Sequence, residues 1–166
     1  MKKSGQLDLS FGLIFSVILI VVFLGFAIYA IIGFLGMKEK IEIGKFLNDL
    51  QSNVNTYWKA NQGTDQFSYF LPVGIKEVCF LNKETSGIGP KENIYDELEK
   101  YLSEGDNLIF YPIGSAKSVK SAKIEHIDLA EMTKQENPLC FENKNGKTTL
   151  SLEQEYGGTQ LVNIRR

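Results

Sequence analysis

Residues 9–36 carry no charged side chain at all, and that single run limits what the chain can fold into. Within it, residues 11–36 include 18 Leu, Ile, Val or Phe side chains. At ~1.5 Å per residue such a helix is about 39 Å long, more than the ~30 Å hydrocarbon core of a bilayer. With about −0.4 kcal/mol from each of those side chains, insertion into a membrane is favoured by several kcal/mol. A cleaved secretory signal would have an apolar region of only about 7–15 residues, followed by a small-residue cleavage site. This run is longer, and Gly33-Phe34-Leu35-Gly36-Met37-Lys38 offers no convincing site. We therefore expect residues 1–36 to be a short basic leader and a single transmembrane helix, with the lipid bilayer as first partner. Gly12-xxx-Ser16 is the nearest approach to a small-residue packing motif in the run.

The helix is not expected to stop at the membrane surface. Beyond Gly36 the sequence becomes charged, yet Ile43, Phe46/Leu47, Leu50, Val54 and Tyr57/Trp58 recur at three- and four-residue steps. No proline interrupts them, and the first strong break is Asn61-Gln62-Gly63-Thr64-Asp65. The pattern predicts one rod over about residues 8–61: an anchor, then an amphipathic helix at 37–62, with Gly33 to Gly44 as the place for a hinge. An α+β globular domain follows at 63–166.

The leader adds a motif. Lys2-Lys3-Ser4-Gly5-Gln6-Leu7-Asp8-Leu9-Ser10-Phe11 resembles the class III signal peptide of archaeal type IV pilins and pilin-like proteins. In that family a short basic leader ending in Gly or Ala is followed by Gln and then a long apolar stretch. The resemblance implies cleavage by a prepilin-type peptidase between Gly5 and Gln6, with Phe11 at the sixth mature position, where Phe is usual. It also implies other pilin-like subunits as partners, and a chain with its N-terminus in the cytoplasm and its C-terminal domain outside the cell membrane. The sequence departs from the family at the fifth mature position, which holds Ser10 instead of the usual Glu. Charge alone does not orient the chain, because Lys2 and Lys3 on one side balance Lys38, Lys40 and Lys45 on the other.

The globular part is acidic. Residues 37–166 hold 16 basic and 19 acidic side chains, so nothing draws the domain to nucleic acid. Cys79 and Cys140 each sit in a short apolar run, 61 positions apart. In a cytosolic protein the pair reads as two buried thiols. In an extracytoplasmic one it reads as a disulfide, worth about 4 kcal/mol for a loop of this length on the chain-entropy model. We expect strands at 75–81, 107–113, 123–129 and 160–164, a short helix at 93–102, and a hairpin joining 139–142 to 148–153 through Lys144-Asn145-Gly146-Lys147. Strands and helices mix without βα alternation, which predicts an antiparallel sheet. That sheet should pack on the amphipathic half of the long helix and bury Phe46, Leu50 and Trp58.

No chemistry stands out. The lone histidine, His126, reads as a strand residue, and there is no GxSxG, phosphate loop or metal-ligand spacing. The acids Glu97/Glu99, Glu131/Glu136 and Glu153/Glu155 read as solvated faces. Ser115-Ala116-Lys117-Ser118-Val119-Lys120-Ser121-Ala122-Lys123 sets three lysines in a row, and reads as a solvated loop rather than a contact for anionic lipid or polymer. No Asn-x-Ser/Thr sequon is present. The expectation is a non-catalytic, membrane-anchored surface protein, a pilin-like structural or interaction subunit, without cofactor, metal or nucleic-acid partner. The alternative is a monomeric anchored binding module.

Overall fold

A computed structural model describes residues 11–60, 62–117, 119–154 and 160–166. The chain forms two units, Met1–Lys38 and Glu39–Arg166, and helix α1 (Phe11–Ala60, 50 residues) contributes to both. In the first unit the described part is helix alone, bare and apolar. In the second unit the same helix carries the buried residues Ile43, Phe46, Leu50, Val54 and Tyr57. Helical backbone continues through Gly33 and Gly44.

The second unit is α+β, with two antiparallel sheets. One has the order β1-β6-β7, formed by Gly63–Phe70, Lys147–Gln154 and Asn163–Arg165. The other has the order β4-β3-β2-β5, formed by Ser121–Ala122, Leu108–Tyr111, Glu77–Phe80 and Leu139–Glu142. Helix α2 is Glu92–Tyr101, and the short α3 is Leu129–Met132. The stripe of α1 shares one core with Val78, Phe80, Leu108, Phe110 and Phe141 of the four-stranded sheet and with Leu150, Leu152 and Ile164 of the three-stranded one. The opposite face of the four-stranded sheet, through Cys79, Ile109 and Cys140, is covered by Ile94, Tyr95 and Leu98 of α2. Burial on both faces explains why β2, β3 and β5 read as unbroken apolar runs.

Two expectations need correction, and one strand was not foreseen. The first is the hairpin. The Asn-Gly turn is there, with Asn145 at φ 54° and Gly146 at φ 83°, closed by reciprocal Lys144 and Lys147 backbone bonds of 2.9 and 3.0 Å. Its two arms nevertheless leave for different sheets: β5 pairs with β2, and β6 pairs with β1 along all eight residues. The apolar β5 needs cover on both faces, whereas alternation in β6 buries Thr148, Leu150, Leu152 and Gln154 and leaves its other face open. One strand pair cannot satisfy both patterns.

The second is 123–129, which is not a strand. Strand β4 ends at Ala122, Ile127 makes only an isolated parallel bridge to Val162, and His126 takes φ 64°, outside the extended region. Asp128 then caps α3, its carboxylate accepting from the Glu131 N–H at 3.0 Å. The unforeseen strand is 63–70, where the helix-breaking Gly63 also opens the eight-residue strand β1. This strand runs back along α1, as Tyr57 donates to Asp65 and Phe46 meets Tyr69 edge-on at 5.4 Å between ring centres.

Two outcomes follow from this core. Leu50 is fully buried, so Leu50→Ala should destabilise the domain by about 2–5 kcal/mol in chemical denaturation of the detergent-solubilised chain. Ile41→Ala, at a side chain 69% exposed on the same helix, should change it by less than about 0.5 kcal/mol. The hydrogen bond to Asp65, with burial and the Asp65 charge behind it, pushes the Tyr57 hydroxyl up to about 12 from 10.0. The folded state therefore keeps this proton where the unfolded chain has lost it. Its stability is full below about pH 10 and falls as pH rises toward about 12. Tyr57→Phe should make that alkaline fall less steep in a pH series of unfolding midpoints.

Candidate membrane and assembly surface

The candidate site is the bare half of α1. Among the described residues of the first unit every side chain is exposed or nearly so, including Phe15, Ile20, Phe23, Phe26, Tyr29 and Phe34. This part of the helix is long and apolar enough to cross a membrane. Its backbone polar groups are satisfied within the helix, as a bilayer requires. The hydroxyl of Ser16 donates to the Gly12 carbonyl at 2.7 Å, so the residue that most resembles a packing motif bonds along its own helix. A Cβ at Gly25, Gly33 or Gly36 would meet nothing within 4 Å. Gly5, Gln6, Asp8 and Ser10, the residues of the leader motif, lie outside the described residues.

The cysteines are bridged. Cys79 and Cys140 lie directly opposite in the β2–β5 register, with S–S 2.07 Å and Cα–Cα 4.0 Å. They sit on the sheet face beneath α2, joining an interior strand to an edge strand. Glu77 lies close to both sulfurs. With the sulfurs bonded to each other, neither is available as a thiolate metal ligand.

The remaining candidates are dispersed. His126 lies flat on Trp58, ring centres 3.7 Å apart and planes 7° off parallel, so the only histidine closes the edge of the core beside α1. Trp58 is only partly buried, in contrast to Phe46 and Leu50. Glu131 pairs with Lys134, Glu136 with Arg166, and Glu153 with Arg165. The guanidinium of Arg166 also donates to the Cys140 carbonyl, pinning the last strand over β5. In the lysine row Lys117 pairs with Glu39 and Lys123 lies 3.7 Å from Glu125. Phe70 and Val73 were not singled out by pattern, yet they are 72% and 68% exposed. The apolar run Phe70-Leu71-Pro72-Val73 beside a turn was the signal for them.

A bridge beneath α2 should leave no thiol to react. Intact-mass measurement after alkylation in denaturant should show no added label without reductant and two labels with it. Replacing both cysteines by alanine should cost about 2–5 kcal/mol of domain stability. No protein family, curated protein or solved structure matches the chain.

Proposed function

We propose that this protein is a non-catalytic, membrane-anchored subunit of the archaeal type IV pilin-like class, with its globular domain outside the cell. The observation that carries the reading is α1. One helix is bare and apolar over its first half and supplies the core stripe of a β-rich domain over its second. A helix built this way serves two environments at once. Its apolar half can exchange a bilayer for the equivalent halves of neighbouring subunits, and the domain stays attached throughout. The buried Cys79–Cys140 bridge favours an oxidising compartment, hence a domain outside.

The leader residues determine how far assembly goes. Removal of residues 1–5 would start the mature chain at Gln6 with a charged amine. At a membrane surface water solvates that amine. Inside a filament, an unpaired charge costs several kcal/mol. The family's usual Glu would compensate it, and Ser10 has no charge. Asp8 is two residues from Gln6, and on any helix a two-residue step would turn its carboxylate about 200° from the amine. The reading is therefore a minor, capping or solitary subunit.

Mass spectrometry of the protein isolated from membranes with a prepilin-type peptidase present tests this reading. The expected mature chain begins at Gln6, and electron microscopy of the same preparation should show no filaments of this protein alone. A chain that still starts at Met1 overturns the processing, and homopolymeric filaments overturn the role assigned to Ser10. An unprocessed, membrane-bound monomer would instead favour an anchored binding module.

A further inference from the structure

The strand registers gather three loops at one end of the domain. Phe70 pairs with Lys147, and Glu77 pairs with both Tyr111 and Glu142. The connections 71–76, 112–120 and 143–146 therefore all turn at the same end of the two sheets. Backbone bonds tie this end together: Leu71 N–H to Gly146 O at 3.0 Å, Lys76 N–H to Tyr111 O at 2.8 Å and Asn143 N–H to Lys76 O at 2.7 Å. Lys117, in the second of these loops, pairs with Glu39, the first residue of the domain unit. The second loop thus lies beside the point where α1 comes into the domain, with the other two at the same end of the sheets.

Their composition is one-sided. The three segments contain Lys76, Lys117, Lys120 and Lys144 and no acid, and all four lysines are exposed. The acids bordering them are Glu39, Glu42 and Asp49 on α1 and Glu77 and Glu142 at strand ends. Lys117 answers Glu39, Lys91 answers Glu77 at 2.7 Å, and Lys144 lies 3.2 Å from Glu142. With Lys40, Lys45, Lys91 and Lys147 included, this end holds eight lysines against those five acids. The rest of residues 39–166 holds seven basic side chains against fourteen acids. Phe70 and Val73 stand exposed in the same cationic end. Apolar tips flanked by lysine ammonium groups match the chemistry of an anionic lipid surface, with a headgroup layer for the cations and an acyl boundary for the ring and methyls.

We propose that this end is a second membrane contact, seating the domain on anionic lipid headgroups through Lys76, Lys120 and Lys144 with Phe70 and Val73 at the acyl boundary. The proposal rests on the anchor reading above. Lys38 and Glu39 share a peptide bond, so the end that holds Glu39 is tethered at the surface the anchor enters. Within a Debye length of about 8 Å the lysines act on that surface.

The test uses the full chain carrying Phe70→Trp, reconstituted in vesicles of phosphatidylcholine brominated on its acyl chains, with and without phosphatidylglycerol. The unsubstituted chain corrects for Trp58. Docking predicts strong quenching of the new tryptophan only with phosphatidylglycerol, relieved as salt rises from about 0.15 M to about 1 M. The Lys76→Gln, Lys120→Gln and Lys144→Gln substitutions should each weaken docking about fivefold. The salt series needs no lysine variant, so it decides independently of how those variants fold. Flotation at high pH is run on the same samples. Chain that floats, but whose quenching ignores phosphatidylglycerol and salt, overturns the contact and leaves the anchor standing. Shielding that follows the protein-to-lipid ratio instead of lipid charge assigns the surface to a second copy and also overturns it. Chain that does not float in either vesicle overturns the anchor, and the contact with it.

Discussion

Everything in the domain is arranged around the stripe Ile43, Phe46, Leu50, Val54 and Tyr57. These five side chains meet apolar residues of both sheets, and burying each contributes about 1.5–3 kcal/mol. Two sheets that pair with each other nowhere along their strands need a common surface to pack on, and α1 supplies it. Removing the stripe would leave a four-stranded and a three-stranded sheet each with one uncovered apolar face. The bare half of the helix has the complementary property. Its large apolar side chains stay exposed, from Phe11 to Met37.

The two sheets divide the work differently. The four-stranded sheet is enclosed between α1 and α2, so it tolerates apolar residues at successive positions and carries the disulfide on its α2 side. The three-stranded sheet has one face on α1 and one open, and its outer face presents Ser68 beside Thr149 at 3.2 Å. Chain crossings between the sheets occur at the cationic end, through 71–76 and 143–146. Asn143 holds that crossing, its amide donating to the carbonyls of Pro72 and Ile75 at 3.0 and 2.8 Å. A buried amide spanning two carbonyls fixes loop geometry that apolar packing alone would leave undetermined.

Charge follows the same axis. The end where α1 comes into the domain is rich in lysine, whereas α2 carries Glu92, Asp96, Glu97 and Glu99. The net acidity of the domain hides this uneven distribution, because averaging removes the separation that an extended surface would sense. The lysine row at 117–123 also changes meaning in three dimensions. Lys117 faces Glu39, whereas Lys123 lies farther along, where the Gln51 side chain bonds the Glu125 backbone. Of three evenly spaced lysines in sequence, Lys117 and Lys120 therefore stay in the loop at the cationic end and Lys123 leaves it.

The sequence by itself determined the long helix, its division into an uncharged and an amphipathic half, and the α+β class. An unbroken apolar run followed by a 3.6-residue stripe from Ile43 to Tyr57 is a local property that burial then reinforces. It also determined the Asn145-Gly146 turn, because only certain residues accept two successive left-handed conformations. Tertiary structure decided which strands pair. A turn fixes the chain for two residues, but the partner of β6 depends on an eight-residue ladder to β1, a segment whose helix-ending glycine masked its strand character. It decided the place of His126, where a left-handed backbone and the face of Trp58 replaced an expected strand. It brought Cys79 opposite Cys140, a pairing that spacing cannot fix because register is set by packing on both sheet faces. And it gathered Lys76, Lys117, Lys120 and Lys144 around one end, since residues far apart in the chain become neighbours only when strand register brings their loops together.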